Sequence, residues 1–211
     1  ANPNTIVVLV AGSSMAIGWM DQHIPAIIDA WYPGEQGGTA IAEVLFGDYN
    51  PAGRLPLTFY NSIEDLPDFD DYNVKNNRTY MYFEGKPLYA FGYGLSYTKF
   101  DYRNLNIKQD TQNVTLNFSI KNSGKYNGDE VAQVYVKFPD QGIKTPLKQL
   151  KGFKRVHIKK GATEQISIEI PKEELRLWDD QKKQFYTPSG TYHFMVGKSS
   201  DNICLQKTAE L

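Results

Sequence analysis

Residues 114–120 read VTLNFSI, and the reading of this stretch decides the fold. Val114, Leu116, Phe118 and Ile120 alternate with Thr115, Asn117 and Ser119. A period of two sends one row of side chains to a core and the other to water, as in a half-buried β-strand. The same alternation returns in Ala132, Val134, Val136 and Phe138, set against Gln133, Tyr135 and Lys137. It returns again in Ile166, Ile168 and Ile170, and in Tyr192, Phe194 and Val196 after the turn residues Pro188, Ser189 and Gly190. Asn122-Ser123-Gly124 and Asn127-Gly128 supply further turn chemistry between strands. Short alternating strands separated by turns, with no helical stretch, predict a mainly β fold: an antiparallel β-sandwich of immunoglobulin or fibronectin III-like type over residues 101–211. The paired cysteines of an antibody domain are missing, since Cys204 is the sole cysteine.

The preceding residues are organised differently. TIVVLVAG (5–12) is an unalternated apolar run, which predicts a strand buried on both faces. Residues 24–31 (IPAIIDAW) suit a short helix or a second buried strand, and Pro25 and the short length favour the strand. After PGEQGG, residues 39–46 place Ala40, Ile41, Val44 and Leu45 on one helical face, with Gly47 where a C-terminal glycine would stop the helix. Asn50-Pro51-Ala52-Gly53 has the residues of a type I turn, and Arg54 to Phe59 should be extended, with Pro56 confining it to an edge. Two strands and a helix bury too little to stand as an α/β domain alone. Residues 1–60 therefore either begin within a larger domain or lean on the second half of the chain.

Residues 61–100 are expected to form a structured aromatic junction. DLPDFDDY (65–72) carries four carboxylates and two aromatics without a trusted period, and Tyr80, Tyr82 and Phe83 need cover. YAFGYGLSYT (89–98) then combines Tyr89, Phe91, Tyr93 and Tyr97 with two glycines, a composition for close backbone approach between packed rings.

Bulk properties exclude several classes. Net charge is −1 with both signs spread along the 211 residues, which gives no case for nucleic acid or an anionic membrane as partner. The longest apolar run is far too short to span a bilayer. Asn77, Asn113 and Asn117 head Asn-x-Ser/Thr sequons, which matter only in a secreting eukaryote.

Chemical candidates are few. Glu35 lies in a glycine-flanked loop before a helix, where ligands bind in α/β folds, or where a carboxylate simply complements the helix dipole. Asp68, Asp70 and Asp71 lack the spacing of a calcium loop and read as a solvated acidic segment. His23, His157 and His193 are scattered, with His193 on the outward face of a strand, so no metal site is assigned. No phosphate-binding loop or other cofactor motif is present. Trp178 and Tyr126 could stack on sugar rings, although packing in the core or an interface is the ordinary fate of such residues. No catalytic set emerges from the residues themselves.

Four segments carry a resemblance: AWYPGEQGGTAIAEVLFGDYNPAGRLPLTF (30–59), RTYMYF (78–83), PLYAFGYGLSYTKFDY (87–102) and PLKQLKGFKRVHIKKG (146–161). In order, they resemble the C-terminal part of a glycoside hydrolase family 3 enzyme with a fibronectin type III-like domain. The resemblance implies an exo-acting β-glycosidase that retains anomeric configuration through a covalent glycosyl intermediate. It implies that residues 1–60 end an incomplete α/β-sandwich domain and that Ala26 to Tyr32 is a strand. In the family the nucleophilic aspartate and the acid/base glutamate precede the position of Ala1, so catalytic residues: none are expected in this chain. Glu35 and Gln36 become candidates for the rim of the substrate cleft, and Tyr89, Phe91, Tyr93 and Tyr97 for the domain junction. The implied partners are a carbohydrate substrate, through the catalytic domains, and those domains themselves. No cofactor is implied, and the setting would be secreted or periplasmic. RTYMYF and GKPLYAFGYG lean towards the β-xylosidase branch over β-glucosidase. The alternative is a carbohydrate-binding or adhesion module, which needs a strip of exposed aromatics; strand alternation leaves mainly Tyr135 and a few loop aromatics outward.

Overall fold

The computed structural model describes residues 2–211. Strand β1 (Ile6–Leu9) pairs in parallel with β2 (Ala26–Asp29), Ile6 opposite Ala26, and helix α1 (Gly18–His23) lies between them in sequence. Helix α2 (Gly37–Phe46) follows and is stopped by Gly47 in the left-handed conformation, φ 85°. The junction contains one 3₁₀ turn (Ile63–Asp65) and the single helical turn α3 (Thr79–Tyr82). From Phe100 onward the regular elements are strands, apart from a 3₁₀ turn (Lys172–Leu175): β3 (Phe100–Gln109), β4 (Asn113–Asn122), β5 (Gly128–Lys137), β6 (Gln149–Ile158), β7 (Thr163–Pro171), the small hairpin β8 (Leu177–Asp179) and β9 (Gln184–Tyr186), β10 (Thr191–Gly197) and β11 (Ile203–Glu210).

Two antiparallel sheets face each other, ordered β3-β4-β7 and β11-β10-β5-β6. The expected sandwich is thus formed, and its core is the set that alternation picks out. Val114, Leu116, Phe118 and Ile120 of β4 meet Ile166, Ile168 and Ile170 of β7 on one sheet. Ala132, Val134 and Val136 of β5 and Tyr192, Phe194 and Val196 of β10 supply the other. Tyr192 is fully buried yet satisfied, because its hydroxyl donates to the Pro188 carbonyl at 2.7 Å. Burial pushes its phenol up to about 12.

Three expectations are corrected. The apolar run of β1 is not buried on both faces: Ile6 is 48% and Val8 36% exposed, because among the described residues its sheet has only two strands and too little packs over them. Asn50 to Gly53 makes no hydrogen-bonded turn. The Asn50 side chain is committed elsewhere, accepting from Tyr97 N at 2.8 Å and Ser96 Oγ at 3.0 Å and donating to the Asn127 carbonyl at 2.8 Å. Finally, Tyr126 and Trp178 stay largely outside the packed interior, 59% and 44% exposed, since both lie beside the two sheets rather than between them.

Phe118→Ala removes a ring that is 2% exposed at the centre of the sandwich. It is expected to lower unfolding free energy in urea by ~3–5 kcal/mol, whereas Phe153→Ala on the outer surface should stay within about 0.5 kcal/mol.

Candidate functional site

Chemistry-bearing side chains gather in two places: the loop at the carboxyl end of β2, and the seam between the junction and the outer face of β5. Among the described residues, no three His, Cys, Asp or Glu side chains converge as a metal site.

The loop after β2 is built from Asp29, Trp31, Glu35 and Gln36. Trp31 holds a left-handed backbone, φ 51°, which costs a non-glycine residue energy and persists only where neighbours impose it. Its N–H approaches Asp29 Oδ1 at 3.4 Å. Burial raises the Asp29 carboxyl above the usual carboxylate range, and that contact only partly offsets it. Glu35 and Gln36 are both exposed. Gln36 occupies the N-cap of α2 without a side-chain cap, and Thr39 Oγ1 lies 3.5 Å from its Oε1.

The seam is more elaborate. Leu55 N donates to the Tyr93 carbonyl at 2.8 Å, and Phe59 N to the Tyr89 carbonyl at 2.9 Å, so residues 54–59 and 89–93 run as one band. Tyr89 and Tyr93 stack at 5.2 Å, and the Tyr89 hydroxyl donates to Asp21 Oδ1 of α1 at 2.6 Å. Burial, then the Asp21 carboxylate, push that phenol above the ordinary tyrosine range, so it remains a donor. Phe91 stacks on Tyr80 at 4.3 Å, and Tyr80 meets the edge of Tyr135 at 5.8 Å. Tyr97 instead reaches α2, donating to the Val44 carbonyl at 2.6 Å.

Tyr135 is therefore a further correction. It is on the outward row of β5, yet it is fully buried, because Tyr80 and the Phe91 segment lie over it. Its hydroxyl donates to Gln133 Oε1 at 2.5 Å, while Gln133 Nε2 donates to the Gly92 and Lys198 carbonyls. Gly92, at φ 81°, has no room for a side chain, because a Cβ there would collide with Gln133.

Beneath this network is the residue pair that sequence reasoning missed. Arg54 Nη2 meets Glu130 Oε2 at 3.0 Å, with the two side chains 10% and 1% exposed. Tyr102 donates to Glu130 Oε1 at 2.7 Å. Burial, then the Glu130 charge, raise the Tyr102 phenol far beyond its ordinary value. One signal was available: Glu130 shares the inward row of β5 with Ala132, Val134 and Val136, and a carboxylate there demands a partner. Asn122 has a similar role at the other end of the seam. Its amide accepts from Thr98 Oγ1 and Gly124 N and donates to the Tyr126 and Ile158 carbonyls.

Comparison with known proteins adds the family context. Residues 1–97 match the glycosyl hydrolase family 3 C-terminal domain, and residues 130–200 the fibronectin type III-like domain. Over 209 residues the chain is 42% identical to a xylan 1,4-β-xylosidase of Xylanibacter ruminicola, covering 98% of this chain and 24% of that protein. It is 36% identical to a periplasmic β-glucosidase of Salmonella typhimurium, over 94% of this chain and 28% of that one. Among solved structures, the β-D-glucoside glucohydrolase of Trichoderma reesei superposes with a TM-score of 0.91 at 28% identity, covering 100% of this chain and 34% of that one. The chain thus spans between a quarter and a third of the length of these relatives.

Two variants probe the seam. Arg54→Met leaves Glu130 buried and unpaired, and is expected to cost ~3–5 kcal/mol in urea unfolding, with most of it regained in Arg54→Met/Glu130→Leu. Phe91→Ala/Tyr93→Ala removes the stacked pairs and should lower the melting temperature by roughly 5–10 °C and expose the junction to protease. Unchanged melting and protease resistance would mean that the rings do not hold the two regions together.

Proposed function

The chain belongs to glycosyl hydrolase family 3, as the C-terminal part of such an enzyme with its fibronectin type III-like domain, and from that premise we propose that it is the accessory end of an exo-acting, configuration-retaining β-glycosidase. The observation that carries this reading is the contrast between the two surfaces of the first 97 residues. One surface is sealed onto the sandwich by the Arg54, Gln133 and Asn50 contacts. Elsewhere the same region leaves large apolar side chains bare: Trp19 on α1, Tyr32 after β2 and Phe46 at the end of α2 are 67%, 76% and 84% exposed. A surface of that kind is a packing face. In the proposed enzyme the catalytic domains cover it, and the sandwich braces them.

In this reading the chain supplies neither reacting carboxylate. Retention requires a nucleophile and an acid/base roughly 5–5.5 Å apart across the glycosidic bond, and both come from the domains that the bare face receives. Glu35 and Gln36, at the carboxyl end of a parallel strand, form part of the cleft rim, where open α/β sheets place ligands. The substrate is a plant-type β-linked oligosaccharide, with xylosides preferred over glucosides because the relative named a β-xylosidase is the more similar of the two above. A periplasmic or secreted setting is supported by the Salmonella relative, which is named periplasmic; among the described residues no helix is long and apolar enough to cross a membrane.

The test has two arms. The 211-residue chain, incubated with aryl β-xyloside and aryl β-glucoside, is expected to release no aglycone above buffer. The parent enzyme should hydrolyse both, with the larger kcat/KM on the xyloside. Turnover by the chain alone, or an inert parent, would overturn the proposal, and a larger kcat/KM on the glucoside would overturn the xyloside preference.

A further inference from the structure

A groove of about 650 Å³ opens where the β8–β9 hairpin, the loop before β6 and α3 come together. Its apolar surface comes from Tyr82 of α3, Ile143 and Pro146 of the loop, and Trp178 and Phe185 of the hairpin. The volume falls within the ~300–1,000 Å³ of small-molecule sites.

The hairpin aromatics are the feature that the fold leaves unused. On β8, Leu177 turns in and packs against the sandwich core, so its neighbour Trp178 turns out. Trp178 stands directly across from Phe185, with ring centroids 5.1 Å apart at 69°. Even as a pair, they remain 44% and 60% exposed. They are nevertheless held in place. The indole N–H donates to Asp180 Oδ1 at 3.0 Å, and the Arg176 guanidinium lies over the Phe185 ring at 5.4 Å. Two fixed, exposed rings on a hairpin that is marginal by itself mark a surface with something to cover it.

Charge selects the class of ligand. Lys75, Lys144, Lys151 and Arg176 share the groove with Glu173, Glu174 and Asp180. Interleaved signs of nearly equal number give a polyanion or a polycation little net attraction, since either meets like charge beside opposite charge. They suit a neutral polyol, whose hydroxyls both donate and accept. A pyranose ring has such a rim of hydroxyls around an apolar face, complementary to an aromatic platform with a polar fringe. We propose that this groove binds a neutral β-linked oligosaccharide, with the Trp178 indole as the apolar platform, Phe185 bracing it edge-to-face, and the charged side chains as the hydrogen-bonding fringe. The choice of a xylan- or glucan-type chain rests on the glycosidase reading above, whereas the site itself rests on the hairpin geometry.

Calorimetric titration of the chain with xylohexaose, cellohexaose and an oligogalacturonate of equal length tests the site. Saturable binding of a neutral hexasaccharide is expected, weakened at least about tenfold by Trp178→Ala. Trp178→Leu, which keeps an apolar residue on β8 but removes the flat ring, should weaken it comparably, and Trp19→Ala on α1 should leave it unchanged. The oligogalacturonate should bind more than tenfold more weakly. No saturable binding of either neutral glycan, wild-type affinity in Trp178→Leu, or preference for the polyanion would overturn the proposal. Aryl-glycoside turnover by the unsubstituted parent enzyme reports separately on the glycosidase reading. Turnover without glycan binding discards the groove alone, and glycan binding without turnover supports the groove while discarding the glycosidase reading.

Discussion

The buried ion pair between Arg54 and Glu130 is the constraint on which the arrangement of the two halves depends. Glu130 lies on the inward row of β5 and is 1% exposed, so its charge has lost nearly all of its water. Several kcal/mol of desolvation must be offset by partners of good geometry. Tyr102, from the opposite sheet, provides one hydrogen bond, but a neutral hydroxyl cannot balance a carboxylate. The balancing cation arrives from residue 54, outside the sandwich, and its own Nη1 is fixed on the Gly53 carbonyl at 2.9 Å. A sandwich without the preceding region would hold an uncompensated charge near its core. The two regions are thereby obliged to fold together.

Once Arg54 is anchored, the neighbouring contacts acquire a fixed register. The band formed by residues 54–59 and 89–93 lies across the outer face of β5, and Gly92 lets it approach closely enough for Gln133 to reach its backbone. Phe91 and Tyr80 then roof Tyr135. At one end, the Lys148 ammonium donates to the Ser200 carbonyl, and Ser200 N donates to the Phe91 carbonyl at 2.9 Å. Burial holds the Lys148 ammonium below the usual lysine range, a sign of how little water reaches the seam. Most of these contacts are polar and directional, so they specify one docking geometry rather than a greasy continuum of them.

How much of this could be read from the sequence differs by element, for physical reasons. The sandwich core was legible residue by residue, because alternation is a direct consequence of the pleat and the central inward positions of β4, β5, β7 and β10 carry it. Alternation states only which side of a sheet a residue faces. It does not state what lies above that side, which is why Tyr135 reads as exposed and is fully buried. The β1 run fails in the opposite sense: Val and Ile at consecutive positions encode burial on both faces, but the described chain brings only β2 to it. Glu35 and Gln36 were correctly located in a loop before a helix, but an exposed pair carries no geometric signature of its role. The Arg54–Glu130 pair was half legible. The parity of Glu130 announces a need, while the identity of a partner 76 positions away depends on the fold.

The same contacts suggest how the sandwich would act on catalysis in the proposed enzyme. Tyr97 follows directly from the seam and ends on the Val44 carbonyl of α2. Asn50, clamped between Tyr97 N and the Asn127 carbonyl, holds the chain just past the same helix. The carboxyl end of α2 is thus tied to the sandwich, and its amino end carries Gln36 and Glu35, eight residues or ~12 Å away along a rigid axis. The loop at that end contains Trp31 in a strained left-handed conformation, which needs a fixed frame to persist. A sandwich that clamps one end of a helix restricts the positions open to the other. Its influence on the cleft rim would therefore pass through α2 as a positioning effect, with no side chain of the sandwich touching the sugar that is cleaved.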